Sequence, residues 1–121
     1  MTRRQLFKDI NSLCRNLDED FDINNGGCCF VAAVIAQGLE RCNISYSVRY
    51  YELNGCHYAI QVSDRVLNRG DFTGTYELEE YDSDDLFTIY DNEIWNDMYD
   101  ISYNEEIEQM FEELFDKYVE N

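Results

Sequence analysis

Apolar residues recur along the first seventeen positions with the spacing of one helical face. Leu6, Phe7, Ile10, Leu13, Cys14 and Leu17 fall at i, i+1, i+4, i+7, i+8 and i+11. Thr2 and Gln5 stand in the positions of a capping box, so an amphipathic helix is expected over residues 3–17. The polar, Asn-rich stretch 18–27 breaks the pattern and closes on Gly26 and Gly27. From Cys28 to Arg41 nearly every residue is apolar and several are alanine, which predicts a buried helix with two cysteines at its N-terminus.

The period then changes from helix to strand. Tyr46, Val48 and Tyr50 alternate with Ser45, Ser47 and Arg49, and Asn54-Gly55 is a strong hairpin signal. His57 to Ser63 is expected as the returning strand, Asp64-Arg65 as a second tight turn, and Val66 to Asn68 as the start of a third strand. His57 follows a turn directly, which places it at a sheet edge in this reading. Farther on, Ser83 with Asp84 and Asp85 marks a helix start, and Leu86, Ile89, Tyr90, Ile94 and Met98 fit one helical face, although a strand also fits part of that stretch. Ser102 and Glu105 form a capping-box pattern before Ile107, Met110, Phe111, Leu114, Phe115 and Tyr118, the spacing of a closing amphipathic helix. The fold class expected is α+β: N-terminal helices, an antiparallel β-meander, and an acidic C-terminal helical segment.

Charge divides the chain where the pattern weakens. Residues 1–70 hold eight Lys or Arg and eight Asp or Glu; residues 71–121 hold one Lys and eighteen acids, so the whole net charge of −17 lies in the second part. That part also carries eleven of the eighteen aromatic residues, which argues that it folds rather than trails as a solvating tail. With 121 residues, one domain over 1–121 is expected. The apolar run 28–36 is too short to cross a bilayer, and Arg3-Arg4 is not followed by the apolar core of a signal peptide, so a cytoplasmic protein with no membrane contact is expected.

Five cysteines, at 14, 28, 29, 42 and 56, form no recurring spacing. An odd count in a cytoplasmic chain disfavours a disulfide framework, and the spacing does not match paired zinc ligands. Cys28 and Cys29 open the apolar helix, where the helix dipole favours a thiolate. The one histidine, His57, is a candidate base or ion-pair partner. Gly26-Gly27 allows close approach of a substrate backbone, and the amide of the nucleophile is a candidate oxyanion donor. The same residues also fit a structural role: cysteine is often simply buried, a single histidine is often part of the packing, and Asn68 is also a good turn residue.

The segments Asn25-Gly26-Gly27-Cys28-Cys29-Phe30, Cys56-His57-Tyr58-Ala59-Ile60 and Val66-Leu67-Asn68-Arg69-Gly70, in that order, resemble papain-like and transglutaminase-like cysteine hydrolases. In that superfamily a helix presents the nucleophile, a strand carries the histidine, and the next strand carries an Asp or Asn that orients the ring. The resemblance implies a papain-like core with Cys28 as nucleophile, His57 as base and Asn68 as orienter, Cys28 being favoured over Cys29 because it directly follows the glycines. The family often uses a Gln before the cysteine as a second oxyanion donor; none is present in that loop, which leaves Asn24 or Asn25 for the role. The resemblance spans residues 22–72 and leaves the acidic part unexplained.

Two functions follow as expectations. One is a cysteine-dependent hydrolase or acyltransferase, peptidase-like or amidase-like, that needs no cofactor or metal. The other is a non-enzymatic inhibitor of the anti-CRISPR or anti-restriction type, whose acidic face imitates nucleic acid and binds a basic host defence protein. In both, the acidic part faces a basic protein or peptide, and direct nucleic-acid binding is disfavoured by like charge. The acidic surface also fits a simple solubilising role.

Overall fold

The computed structural model describes residues 1–21, 28–52, 56–63, 65–69, 79–91 and 101–120. Among them the elements run α1 (Arg3–Phe21), α2 (Cys28–Arg41), β1 (Ser47–Glu52), β2 (Cys56–Val62), β3 (Arg65–Leu67), β4 (Glu79–Tyr81), α3 (Ser83–Asp91) and α4 (Ile101–Glu120). The chain is α+β, and α2 is its axis. All of α2 from Cys28 to Leu39 is buried except Gln37, because β2 packs on one side of it and α3 and α4 on another. An apolar helix of this kind is stable only when covered all round.

Gly38 shows how closely α4 approaches: a Cβ at this position would collide with the Phe115 ring, so the interface depends on the missing side chain. The end of α2 is set by local chemistry. Asn43 takes a left-handed φ of 57°, the Asn43 amide donates to the Glu40 carbonyl, and the Ile44 amide donates to the Leu39 carbonyl, which together make a Schellman motif.

α1 turns Leu6, Ile10, Cys14 and Leu17 inward, as its spacing predicts, and packs against α4 and β3. The Gln5 amide donates to Thr2 Oγ1 at 3.1 Å, but the Gln5 side chain donates to Asp9 at 2.8 Å, so only half of the capping box forms. The helix runs four residues beyond the expected end, to Phe21, which brings Asp18 into regular structure.

The sheet order is β3-β2-β1-β4, antiparallel throughout. The expected meander forms its first three strands. β4 adds a fourth against β1, a pairing too short to carry a legible alternation. On one pleat of the sheet, Tyr50, Tyr58 and Tyr81 from three strands cluster with centroids 5.1 to 5.6 Å apart. β2 is an interior strand, not the edge strand that the turn before His57 predicted. The β3 ladder, however, pairs only with Ile60 to Val62, so His57 lies past its end, alongside the chain leaving β3.

α3 begins as its sequence predicts: the Asp84 amide donates to Asp82 Oδ1 at 2.8 Å, and Asp84 and Asp85 sit in the first turn, where the dipole favours negative charge. α4 already includes Ile101, so Ser102 is within the helix rather than capping it. Ile107, Phe111 and Phe115 join Leu6, Ile35, Ile60 and Leu86 in one apolar core, so both parts of the chain supply it.

Candidate functional site

Cys28 is the first residue of α2 and is 4% exposed. The positive end of the helix dipole lies at this first turn and favours a thiolate. Neighbouring residues on a helix point about 100° apart, and the two cysteines separate accordingly. Cys29 belongs to the main apolar core, and burial pushes its thiol up to about 12. Among the described buried apolar residues, Cys28 and Ala59 stand outside that core. Burial also raises Cys14 strongly and Cys42 upward, which leaves both as poor nucleophiles.

His57 is fully buried. Side chains alternate along β2, so Tyr58, Ile60 and Val62 face the core while His57 and Ala59 lie on the other pleat. His57 Nε2 donates to the main-chain oxygen of Asn68 at 2.6 Å. A carbonyl oxygen only accepts, so this contact places the proton on Nε2 in the neutral ring and makes Nδ1 the basic nitrogen. Burial lowers the pKa of His57; the Asn68 carbonyl and the Asp18 carboxylate act in the opposite direction by favouring the imidazolium.

Asn68 is therefore brought to His57, but through its backbone. The expected orienting contact from its side chain is replaced by the main-chain carbonyl. Asn68 has a left-handed φ of 55°, and Asn11 of α1 holds it there: the Asn68 amide donates to Asn11 Oδ1 at 3.1 Å, and Asn11 Nδ2 donates to the Val66 carbonyl at 3.4 Å. Asn68 is 2% exposed, and its Nδ2 has no hydrogen-bond partner among the described residues. A buried donor left so costs on the order of 1–3 kcal/mol.

Asn11 and Asp18 escaped the sequence reading. Asn11 lies between inward-facing residues of α1, and only its position on the flank toward β3 reveals a role. Asp18 stood in a stretch read as loop. Asn24 and Asn25, the candidate oxyanion donors, lie outside the described residues.

Elsewhere, an open groove of about 760 Å³ lies at the C-terminal end of α2, lined by Glu40, Tyr46, Ser47, Asp82 and Asp84. It is about 18 Å along the helix from Cys28 and belongs to a different region. Among the described residues no cluster of three or more His, Cys, Asp or Glu side chains offers a metal site, and no helix is long and apolar enough to cross a membrane. No protein-family model, curated protein or solved structure matches this chain.

Proposed function

We propose that this chain is a cysteine-dependent hydrolase or acyltransferase with a papain-like core, acting on an amide, ester or thioester. The observation that carries the reading is the 2.6 Å bond from His57 Nε2 to the Asn68 carbonyl, because a neutral ring that donates from Nε2 has its basic nitrogen at Nδ1, as a general base would need. In the proposed reaction His57 Nδ1 takes the Cys28 thiol proton, and the thiolate attacks the substrate carbonyl carbon. The imidazolium returns that proton to the leaving group, and water or another acceptor then cleaves the thioester. The Asn68 carbonyl and the Asp18 carboxylate favour the imidazolium between these steps. No cofactor or metal enters the scheme.

Brief alkylation with iodoacetamide at about pH 7, followed by peptide mapping, tests the nucleophile. Cys28 should label ahead of Cys14, Cys29 and Cys42, and His57→Gln should slow that labelling by on the order of 10²-fold. Labelling of Cys42 or Cys14 with Cys28 untouched would remove the catalytic reading.

A second reading is favoured by the placement of charge on α4. Glu105, Glu106, Glu112, Glu113 and Asp116 are exposed, while the aromatic residues Phe111 and Phe115 turn inward. That acidic surface fits a basic protein, including one whose nucleic-acid channel it occupies in the manner of an anti-CRISPR or anti-restriction inhibitor.

A further inference from the structure

Holding the ring of His57 does not require the Asn68 side chain, since the main-chain carbonyl makes that contact. Nor does the left-handed backbone at this position require a carboxamide, because glycine adopts φ of 55° at least as readily. Asn11 fixes the turn through the Asn68 amide, again without using the Asn68 side chain. The carboxamide is nonetheless buried, and its Nδ2 has no partner among the described residues, a placement that native structures tolerate rarely and that is explained by an acceptor from outside the chain. Five covalent bonds separate Nδ2 from the carbonyl oxygen against His57, so the donor lies within about 6 Å of that oxygen.

We propose that the Asn68 carboxamide is a substrate-binding donor, giving a hydrogen bond from Nδ2 to the carbonyl oxygen of an ester or amide as that oxygen becomes an oxyanion. This rests on the cysteine-hydrolase reading above. The step balances without a further reactant. The Cys28 sulfur forms a bond to the carbonyl carbon, the π electrons move to the oxygen and are held there by Nδ2, and collapse expels the leaving group with the proton from His57. A side-chain donor at such a position contributes on the order of 10²–10³-fold to the rate. It supplies the role for which the loop before Cys28 has no glutamine.

Two reactions of one thiol separate this role from that of an orienter. 4-Nitrophenyl acetate acylates a thiolate through an oxyanion, whereas iodoacetamide alkylates it by displacement and develops none. Asn68→Gly keeps the left-handed backbone and the carbonyl to His57 while removing the carboxamide; Asn68→Asp keeps the shape and replaces the donor with an acceptor. In both variants the 4-nitrophenolate burst should slow by about 10²-fold or more; in Asn68→Gly, which brings no charge to His57, alkylation of Cys28 should stay within about twofold of the starting protein. The ring resonances of the single histidine should report an unchanged Nε2–H tautomer in Asn68→Gly. If acylation and alkylation fall together in Asn68→Gly, the carboxamide acts on the Cys28 and His57 pair, and the donor role is overturned while the hydrolase reading stands. Unchanged acylation in both variants overturns the donor role as well. If the starting protein is neither acylated nor preferentially alkylated at Cys28, the hydrolase reading fails and takes this inference with it.

Discussion

α2 and α4 bury apolar surface in opposite ways. α2 is apolar on every side because the sheet, α3 and α4 all cover it; α4 is apolar along one stripe and acidic on the other. The same contrast holds for polar groups. In the first seventy residues, which carry no net charge, His57 and Asn68 lie inside the fold; in the acidic part the described carboxylates lie outside it, apart from half-buried Glu108. Buried polar groups need a structural or chemical reason to persist, whereas exposed charge is inexpensive to keep. Chemistry is therefore sought in the first part, and recognition of a partner in the second.

The strongest way to break this contrast is to show that α4 is an appendage. Phe111 is fully buried in the core that α1, α2 and the sheet share. Phe111→Ala should cost about 3–5 kcal/mol, a large part of the stability of a domain this size. Urea unfolding followed by far-UV circular dichroism and by labelling of buried Cys14 should shift together in one transition. Loss of helix signal with Cys14 still protected would separate the parts and refute the shared core.

A smaller effect is expected from the titration of His57. Its folded pKa is lowered from the ordinary value of 6.5 by burial, so the unfolded chain binds the proton more readily. The stability linked to His57 is full above about pH 6.5 and is lost as pH falls from there through the lower folded pKa. Protonation of the many carboxylates also changes stability in acid, which makes a single profile ambiguous. The difference between the starting protein and His57→Gln isolates the histidine. Denaturant midpoints measured from about pH 7.5 to 5 should decline more in the starting protein. Parallel profiles would mean that His57 is not desolvated in the folded state.

The legible parts of the fold were those where pattern and burial coincide. α2 matches its expected bounds of Cys28 and Arg41 because apolar composition, preceding glycines and a C-terminal cap agree. β1 and β2 followed from alternation, but β4 did not, because three residues held by pairing with β1 carry almost no periodic signal. α1 overran its expected end because Asp18 to Phe21 continue the helix once α1 is packed, a tertiary effect that local propensity does not encode. At the candidate site, residue type and order singled out Cys28, His57 and Asn68, and of these the structure joins His57 to Asn68. The atom that holds His57 was not legible, since a main-chain carbonyl is common to every residue. Its use depends on the left-handed turn and on Asn11 fifty-seven positions away.

The smallest stability effect, and the sharpest test of the acidic surface, comes from neutralising the outer side of α4. Glu105 to Asp116 spans about 17 Å of helix, and the five exposed acids along it make no packing contribution that their amides would lose. Replacing Glu105, Glu106, Glu112 and Glu113 by Gln and Asp116 by Asn should change stability by only about 0.5 kcal/mol per site or less, and reduced self-repulsion opposes any loss. Recognition should respond far more. A basic partner steered by this field binds more weakly as salt shortens the Debye length from about 10 Å at 0.1 M to about 3 Å at 1 M. Capture from a host lysate at low and high salt, with the starting protein and the neutralised variant, measures that response. If the surface imitates nucleic acid, the captured protein should itself bind DNA or RNA, added nucleic acid should displace it, and Cys28→Ala should inhibit as well as the starting protein. If the surface recruits a substrate to Cys28, the same substitution should abolish the effect while capture survives. Equal capture by the neutralised variant, or capture indifferent to salt, would reduce the acidic face of α4 to a solubilising surface and remove the contrast between the two parts as a guide to function.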